Sequence, residues 1–299
     1  MNTFKKITLS AVSLVMLIGT AFSLCACSQP QQAEMPVILL TDFGTDSYWV
    51  PELKGIVYSS NPDAVIIDAT HDIPSFDITS AAFILLITAR EFPSNVVIVA
   101  IVQPGVPTGQ RYMALTTNKG QVLMVPDNGL ATLVIKEMGI KSCYEINNRE
   151  LYRAPVDTLF YSEILGRAGA LAAGGLKPGE LGPILAKPEM FTMHEPAVSD
   201  GKLSGMAVFV DHFGNCNTNI PRDKVSSAGF KTGDNLTVLT PSGEVKVKFG
   251  TTYADVPTGQ AVAFIDELGT LKLSINMGSF SRIYNTLAGS KIEVVKSAR

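Results

Sequence analysis

The feature that most constrains this chain of 299 residues is a change of pattern near residue 185. Before it, short apolar runs alternate with segments of helical period. After it, the runs are β-branched and closely spaced, with turn residues between them. Strands alternating with helices predict a mainly parallel sheet flanked by helices. Closely spaced short strands predict a small barrel or sandwich. The expectation is therefore an α/β N-terminal domain over residues 35–184, a linker over 185–195 and an all-β, barrel-like C-terminal domain over 196–299.

In the first half the apolar runs fall at 37–40, 64–67, 96–102, 112–115 and 121–125. Helical periods fall at 49–59, 77–92, 130–138 and 162–173, with Gly139 and Gly174-Gly175 as helix stops. In the second half the strands are expected at 206–210, 236–239, 244–249, 261–265, 270–275 and 291–295. Turn signals such as Pro241-Ser242-Gly243 and Glu267-Leu268-Gly269 separate them.

The loops after the first strands carry more information than the strands. They read Thr41-Asp42-Phe43-Gly44, Asp68-Ala69-Thr70-His71-Asp72, Gln103-Pro104-Gly105-Val106 and Pro126-Asp127-Asn128-Gly129. Ligands of open α/β sheets sit beyond the carboxyl ends of the strands. Converging there, these loops would line a pocket with hydroxyl, amide and carboxylate groups, and Asp42 is the first candidate. The competing reading is that such residues only cap helices and make turns.

A composition 46% hydrophobic and 17% charged suits a well-buried globular protein, and a net charge of −3 with no basic stripe argues against nucleic acid. The long apolar run is N-terminal: Lys5 and Lys6 precede residues 7–18, which end near Leu24-Cys25-Ala26-Cys27-Ser28. This resembles a bacterial lipoprotein signal. The resemblance implies a signal over 1–27, lipidation of Cys27, a polar tether over 28–34, and an extracytoplasmic protein anchored to the cell envelope membrane through its lipid. Cys143 and Cys216 fall in different expected domains, so two buried free thiols are favoured over a disulfide.

Most familiar catalytic motifs are absent. The chain has no GxSxG elbow and no Walker A loop, and His71, His194 and His212 lack metal-ligand spacing. No metal is expected. A second polar loop follows a strand of the C-terminal half: Asp211-His212-Phe213-Gly214-Asn215-Cys216-Asn217-Thr218-Asn219-Ile220. Asn215 could donate to and accept from a purine edge, and the Asp211 carboxylate could hold an ammonium.

These residues together resemble the S-adenosylmethionine-dependent chlorinase/fluorinase and S-adenosylmethionine hydrolase (hydroxide adenosyltransferase) family. The likeness spans almost the whole chain after residue 35. It is carried by Thr41-Asp42-Phe43-Gly44, Lys54-Gly55 with Asn61-Pro62, Asp68-Ala69-Thr70-His71-Asp72-Ile73-Pro74, Phe76-Asp77-Ile78, Pro104-Gly105-Val106, Pro126-Asp127-Asn128-Gly129-Leu130 and the segment 211–220. It implies a homotrimer whose adenosyl ligand lies between the N-terminal domain of one subunit and the C-terminal domain of the next. It implies that Asp42 chelates the ribose diol, Phe76 and Phe213 pack on the ligand, Asp211 holds the methionine ammonium and Asn215 the adenine edge. Asn276 to Ser279 would offer backbone to adenine. The implied reaction is attack of hydroxide or halide on ribose C5′, with S-adenosylmethionine as substrate or ligand and no cofactor.

The chain also departs from that pattern. The Asp expected before Pro104 is Gln103, the expected Arg falls at Gln110 with Arg111 one place later, and the expected His is replaced by Phe160-Tyr161-Ser162, as in the halide-using branch. Gln103, Arg111, Tyr161 and Ser162 are thus the catalytic candidates. Glu267-Leu268 replace a polar pair on the methionine side, while Trp49 and Pro51 alter the pocket floor. Three readings stay open: hydrolysis of S-adenosylmethionine or a related 5′-substituted adenosine, capture of such a compound without chemistry, and a structural trimer.

Overall fold

A computed structural model describes residues 35–105, 109–152 and 161–297. The expected signal, Cys27 and the tether lie outside them, as do Val106 and Phe160. Residues Glu34–Arg299 form one compact unit.

The N-terminal half runs β1 (Val37–Thr41), α1 (Trp49–Ser60), β2 (Ile66–Thr70), α2 (Ile78–Glu91), β3 (Val97–Ile101), β4 (Tyr112–Thr117), β5 (Val122–Pro126), α3 (Thr132–Met138), β6 (Ile140–Glu145) and α4 (Tyr161–Ala173). The sheet order is β2-β1-β3-β5-β4-β6. Strands β2, β1, β3 and β5 are parallel, and β4 runs antiparallel to both β5 and β6. β1 and β3 are buried along their whole length, as strands covered on both faces must be. Ile38 and Leu40 enter the core shared with α2 and α3, while Val37 and Leu39 enter the one shared with α1 and α4.

α4 is rich in small residues for a reason. A Cβ on Gly169 would lie 2.4 Å from Val99 Cγ2, and one on Gly166 would lie 2.7 Å from Leu53 Cδ1. Only glycine lets the helix come this close to β3 and α1. That approach carries Tyr161, at the start of α4, to the end of the sheet where β1 and β3 stop.

The C-terminal half runs β7 (Ala197–Ser199), β8 (Lys202–Val210), β9 (Cys216–Pro221), α5 (Arg222–Ser227), β10 (Asn235–Thr240), β11 (Gly243–Phe249), β12 (Ala261–Ile265), β13 (Thr270–Ile275), α6 (Phe280–Tyr284) and β14 (Lys291–Lys296). The order β14-β10-β11-β12-β13-β9-β8, with β14 pairing back onto β8, closes a barrel, and β7 adds to β8 outside it. Its interior holds Leu236, Val245, Ala263, Leu273 and Ile292 among others. The two halves touch directly: Phe83 of α2 stacks on Phe209 of β8 with ring centroids 5.3 Å apart.

Two expectations need correction. β2 begins two residues later than expected, because pairing with β1 starts at Val37 and Ile66. Asp68 to Thr70 are therefore strand residues, tolerated because β2 is an exposed edge. Residues 216–220 are not loop but most of β9, whose polar side chains are satisfied on the barrel wall: Asn217 by Asp266 and Thr218 by the Leu271 carbonyl. Residues 185–195 carry no strand or helix and connect the two halves while packing on the first. Leu185 is buried, Phe191 and Met193 pack on the first core, and the backbone N–H groups of Glu189 and Phe191 donate to Asp127 and Thr132. The strands β6 and β7 and the helices α5 and α6 went unanticipated.

Cys143 lies in the core of the first half and Cys216 in the barrel, both as free thiols. Burial pushes Cys143 up to about 11 and Cys216 up to about 12. Among the described residues no helix is long and apolar enough to cross a membrane.

Candidate functional site

The loops that leave β1, β2 and β3 do converge. They meet α1 and α4 around a cavity of about 240 Å³ lined by Asp42, Phe43, Trp49, Ser75, Phe76, Ile101, Gln103 and Tyr161. Phe43, Trp49 and Tyr161 form an aromatic wall with centroids 6.0, 6.2 and 6.3 Å apart in pairs. Tyr48 stacks behind Trp49 at 4.7 Å.

Asp42 is the charged group of this cavity. One carboxylate oxygen accepts the Phe76 backbone N–H at 2.8 Å. Burial raises the Asp42 pKa, opposed by the hydrogen bond from Phe76. The Phe76 ring is 64% exposed, on a backbone with φ of +66°. A bulky residue rarely adopts that conformation, and structure keeps it only where the surroundings impose it. Here the imposing contacts are the bond to Asp42 and the start of α2, where Asp77 caps the helix by accepting from Ser80 N–H.

Gln103 lines the cavity with its amide pinned. Its Nε2 donates to Gln110 Oε1 at 3.1 Å, and its Oε1 accepts from Asn128 Nδ2 at 3.3 Å. The loop after β5 therefore supports the cavity rather than lining it. Arg111 does not reach the cavity: it pairs with the buried Asp127 at 2.5 Å and lies 3.7 Å from Glu189. Ser162 sits behind the wall, buried, and its hydroxyl has no partner. Of the catalytic candidates, the structure brings Gln103 and Tyr161 to the cavity, keeps Ser162 one layer back and holds Arg111 elsewhere.

The second set of residues forms a separate feature on the barrel. Asp211 accepts from Phe213 N–H and Asn215 N–H through one oxygen and from Asn215 Nδ2 through the other. Main-chain bonds between Asp211 and Asn215 and between Gly214 and Asp211 close the turn. The Asp211 carboxylate has no cationic partner among the described residues. Asn215 Nδ2 is committed to Asp211 and faces the Tyr253 hydroxyl at 3.5 Å, so its carbonyl oxygen is the group left for a ligand. This narrows the purine expectation from donor plus acceptor to acceptor.

The turn rests on the segment 276–279. A Cβ on Gly214, whose φ is +84°, would lie 1.9 Å from Ser279 Oγ. Ser279 caps α6 by accepting from Arg282 N–H. The backbone of Asn276 is engaged with Gln260 and Gly259 and its side chain with the Val256 carbonyl, while Gly278 N–H donates to the Ile275 carbonyl and the Ser279 carbonyl accepts from Ile283 N–H. Phe213 is 74% and Met277 86% exposed. None of these residues lines the cavity of Asp42. Tyr253 was not anticipated; it lies in a segment without strand or helix period, and nothing in the sequence marks it. Among the described residues no cluster of His, Cys, Asp or Glu is arranged to hold a metal ion.

Comparison with known proteins places this geometry. A family model described as the SAM hydroxide adenosyltransferase N-terminal domain matches residues 37–182, and one described as the corresponding C-terminal domain matches residues 205–293. A protein from Methanocaldococcus jannaschii named (R)-S-adenosyl-L-methionine hydrolase is 30% identical, over 87% of this chain and 95% of its own. A Nocardia brasiliensis protein named fluorinase is 30% identical, over 87% of this chain and 96% of its own. The crystal structure of an uncharacterized conserved protein from Thermotoga maritima superposes with a TM-score of 0.80 at 31% identity, covering 87% of this chain and all of that one.

Proposed function

The chain belongs to the SAM hydroxide adenosyltransferase family, and from that premise we propose that it cleaves S-adenosylmethionine, or a related 5′-substituted adenosine, by attack at ribose C5′, with water as the nucleophile. With S-adenosylmethionine the water oxygen bonds C5′ as the C5′–S bond breaks, and the products are adenosine, methionine and a proton that leaves to solvent. The observation that carries this reading is Asp42: its carboxylate is held by Phe76 N–H and lines an aromatic cavity. A carboxylate held this way suits the two hydroxyls of a ribose.

The leaving group is a neutral thioether departing from a sulfonium, so no acid has to protonate it. Catalysis then consists of alignment and partial stripping of water from the nucleophile. Phe43, Trp49 and Tyr161 supply the dry wall. Gln103 is no base, but its pinned amide keeps one N–H and one lone pair with which to orient a water.

The cavity of about 240 Å³ is smaller than the ~300–1,000 Å³ of a complete small-molecule pocket. The ligand-facing groups of the barrel lie apart from it. Both facts support a homotrimer in which the Asp211 turn of one subunit completes the cavity of the next. In that site Asp211 takes the methionine ammonium, Asn215 and residues 277–279 take adenine, and Phe76 and Phe213 enclose the ligand. The lipoprotein-like signal supports a lipid anchor at Cys27 and a place in the bacterial envelope. Labelled palmitate incorporated by the wild type and not by Cys27→Ala tests that part.

The second reading is capture without turnover, favoured because Arg111 is consumed by Asp127. One assay separates the two: residues 28–299 are incubated with S-adenosylmethionine, with and without chloride or fluoride. Adenosine and methionine establish hydrolysis. A 5′-halogenated adenosine establishes halide transfer, toward which the unpartnered Ser162 hydroxyl in the first turn of α4 points. A retained nucleoside with no product establishes capture. Unchanged binding and turnover in Asp42→Ala would sink the site itself.

A further inference from the structure

A chain of polar side chains behind Asp42 is not used by that chemistry. Thr41 Oγ1 lies 2.8 Å from His71 Nδ1, and both residues are buried. His71 Nε2 lies 3.1 Å from Asp68 Oδ1, off the line of a good hydrogen bond, so that contact is chiefly electrostatic. The other oxygen of Asp68 pairs with Lys54 Nζ at 2.6 Å. Burial pulls the Asp68 carboxyl up, but Lys54 and His71 together outweigh it and hold it below its ordinary value. The chain thus ends in a fixed ion pair.

Thr41 Oγ1 also accepts the Phe43 N–H at 3.3 Å, and its second lone pair or its own hydrogen meets His71 Nδ1. The same residues are laced through the main chain: Gly44 N–H donates to the His71 carbonyl at 2.8 Å, and Ile73 N–H reaches the Thr41 carbonyl at 3.5 Å. Lys54 sits on α1, the helix that begins with Trp49. The chain therefore joins the Asp42 turn, the loop bearing Phe76 and the helix bearing the aromatic wall.

The network is buried at Thr41 and His71 and open to solvent at Asp68 and Lys54, so it gains little stability over apolar side chains of the same shape. What it supplies is a unique geometry. We propose that Thr41, His71, Asp68 and Lys54 form a positioning relay that aims the Asp42 carboxylate, and thereby sets how strongly the cavity prefers a nucleoside with an intact 2′,3′-diol. This rests on the reading of Asp42 as the acceptor of the ribose diol. The relay residues are positioning residues and touch no ligand themselves.

The test compares adenosine with 2′,3′-dideoxyadenosine, whose sugar offers Asp42 nothing, by calorimetry on residues 28–299, which contain the whole compact unit. The wild type is expected to prefer adenosine at least tenfold. Thr41→Val and His71→Ala should reduce that preference about fivefold or more while leaving the dideoxynucleoside affinity in place. Thr41→Ser, which keeps the hydroxyl, and His71→Asn, whose amide can replace Nδ1 as a hydrogen-bond partner, should restore most of it. A wild type without preference would remove the Asp42 reading and leave this proposal no footing. A wild type with preference, retained in Thr41→Val and His71→Ala, would overturn the relay alone. Equal loss of both nucleosides in those variants would make the hydroxyl and imidazole structural props and overturn it too.

Discussion

The Asp42 cavity and the Asp211 turn carry the same kind of group, a carboxylate after a strand, and treat it in opposite ways. Asp42 presents a carboxylate held by Phe76 N–H to a concave, aromatic site, and burial raises its pKa. Asp211 spends its oxygens on three N–H donors of its own turn and sits beside the exposed Phe213. The first is a receptor built before its ligand arrives. The second is a rigid projection that has to be presented to something. Preorganisation is present in both, but only the cavity excludes water by itself.

The hardest test of that contrast is removal of each carboxylate. Asp42→Ala should weaken adenosine binding about 100-fold or more, since hydrogen bonds to a charged acceptor are worth about 1.5–3 kcal/mol each and two hydroxyls are lost. Asp211→Asn should leave adenosine untouched and weaken S-adenosylmethionine about tenfold, because a single ammonium contact on the rim is lost; calorimetry with both ligands reads the two effects.

The projection is more fragile than the cavity in a second way. Gly214→Ala forces a Cβ onto Ser279 at a positive φ, and should cost about 2 kcal/mol or more of stability, seen as a lower melting temperature. A tolerated alanine there would mean that the turn is not rigid.

The pH dependence should separate the two as well. With Asp42 as the proposed acceptor of the ribose diol, adenosine binding should need its ionised form, and its pKa lies above the ordinary 3.8. Affinity should fall as pH drops through that raised range, and Asp42→Asn should abolish the dependence along with most of the binding. Stability runs the other way. Between the unfolded and folded pKa the folded chain holds more protons, so the stability linked to Asp42 is present below 3.8 and is lost as pH rises through the raised value. Asp42→Asn should remove this slope in melting curves taken across the window. The smallest effect belongs to the wall: Tyr161→Phe keeps the ring and should change adenosine affinity less than about threefold, within the range of a surface hydrogen bond.

Much of this was legible because the signals were local. The run ending in Thr41-Asp42 is buried on both faces and hands its polar residues to the sheet edge, as its pattern required. The segment 211–220 misled because Asn217 and Thr218 read as loop residues when their polarity is spent on Asp266 and Leu271 across the barrel wall. The relay could not be read: Thr41, Lys54, Asp68 and His71 come from three elements, and only the fold brings them into line. Arg111 shows the same limit. Its place in the chain made it a candidate, and a buried Asp127 decided otherwise.

The two described cysteines carry a practical consequence. Each thiol is locked in a different core, with its pKa raised far above neutrality by burial. Neither can meet the other without unfolding both halves, and neither offers a thiolate for exchange. Residues 34–299 therefore need no oxidant to mature and hold no bond for a reductant to break. The same fold should be recovered from a reducing cytosol as from an oxidising compartment.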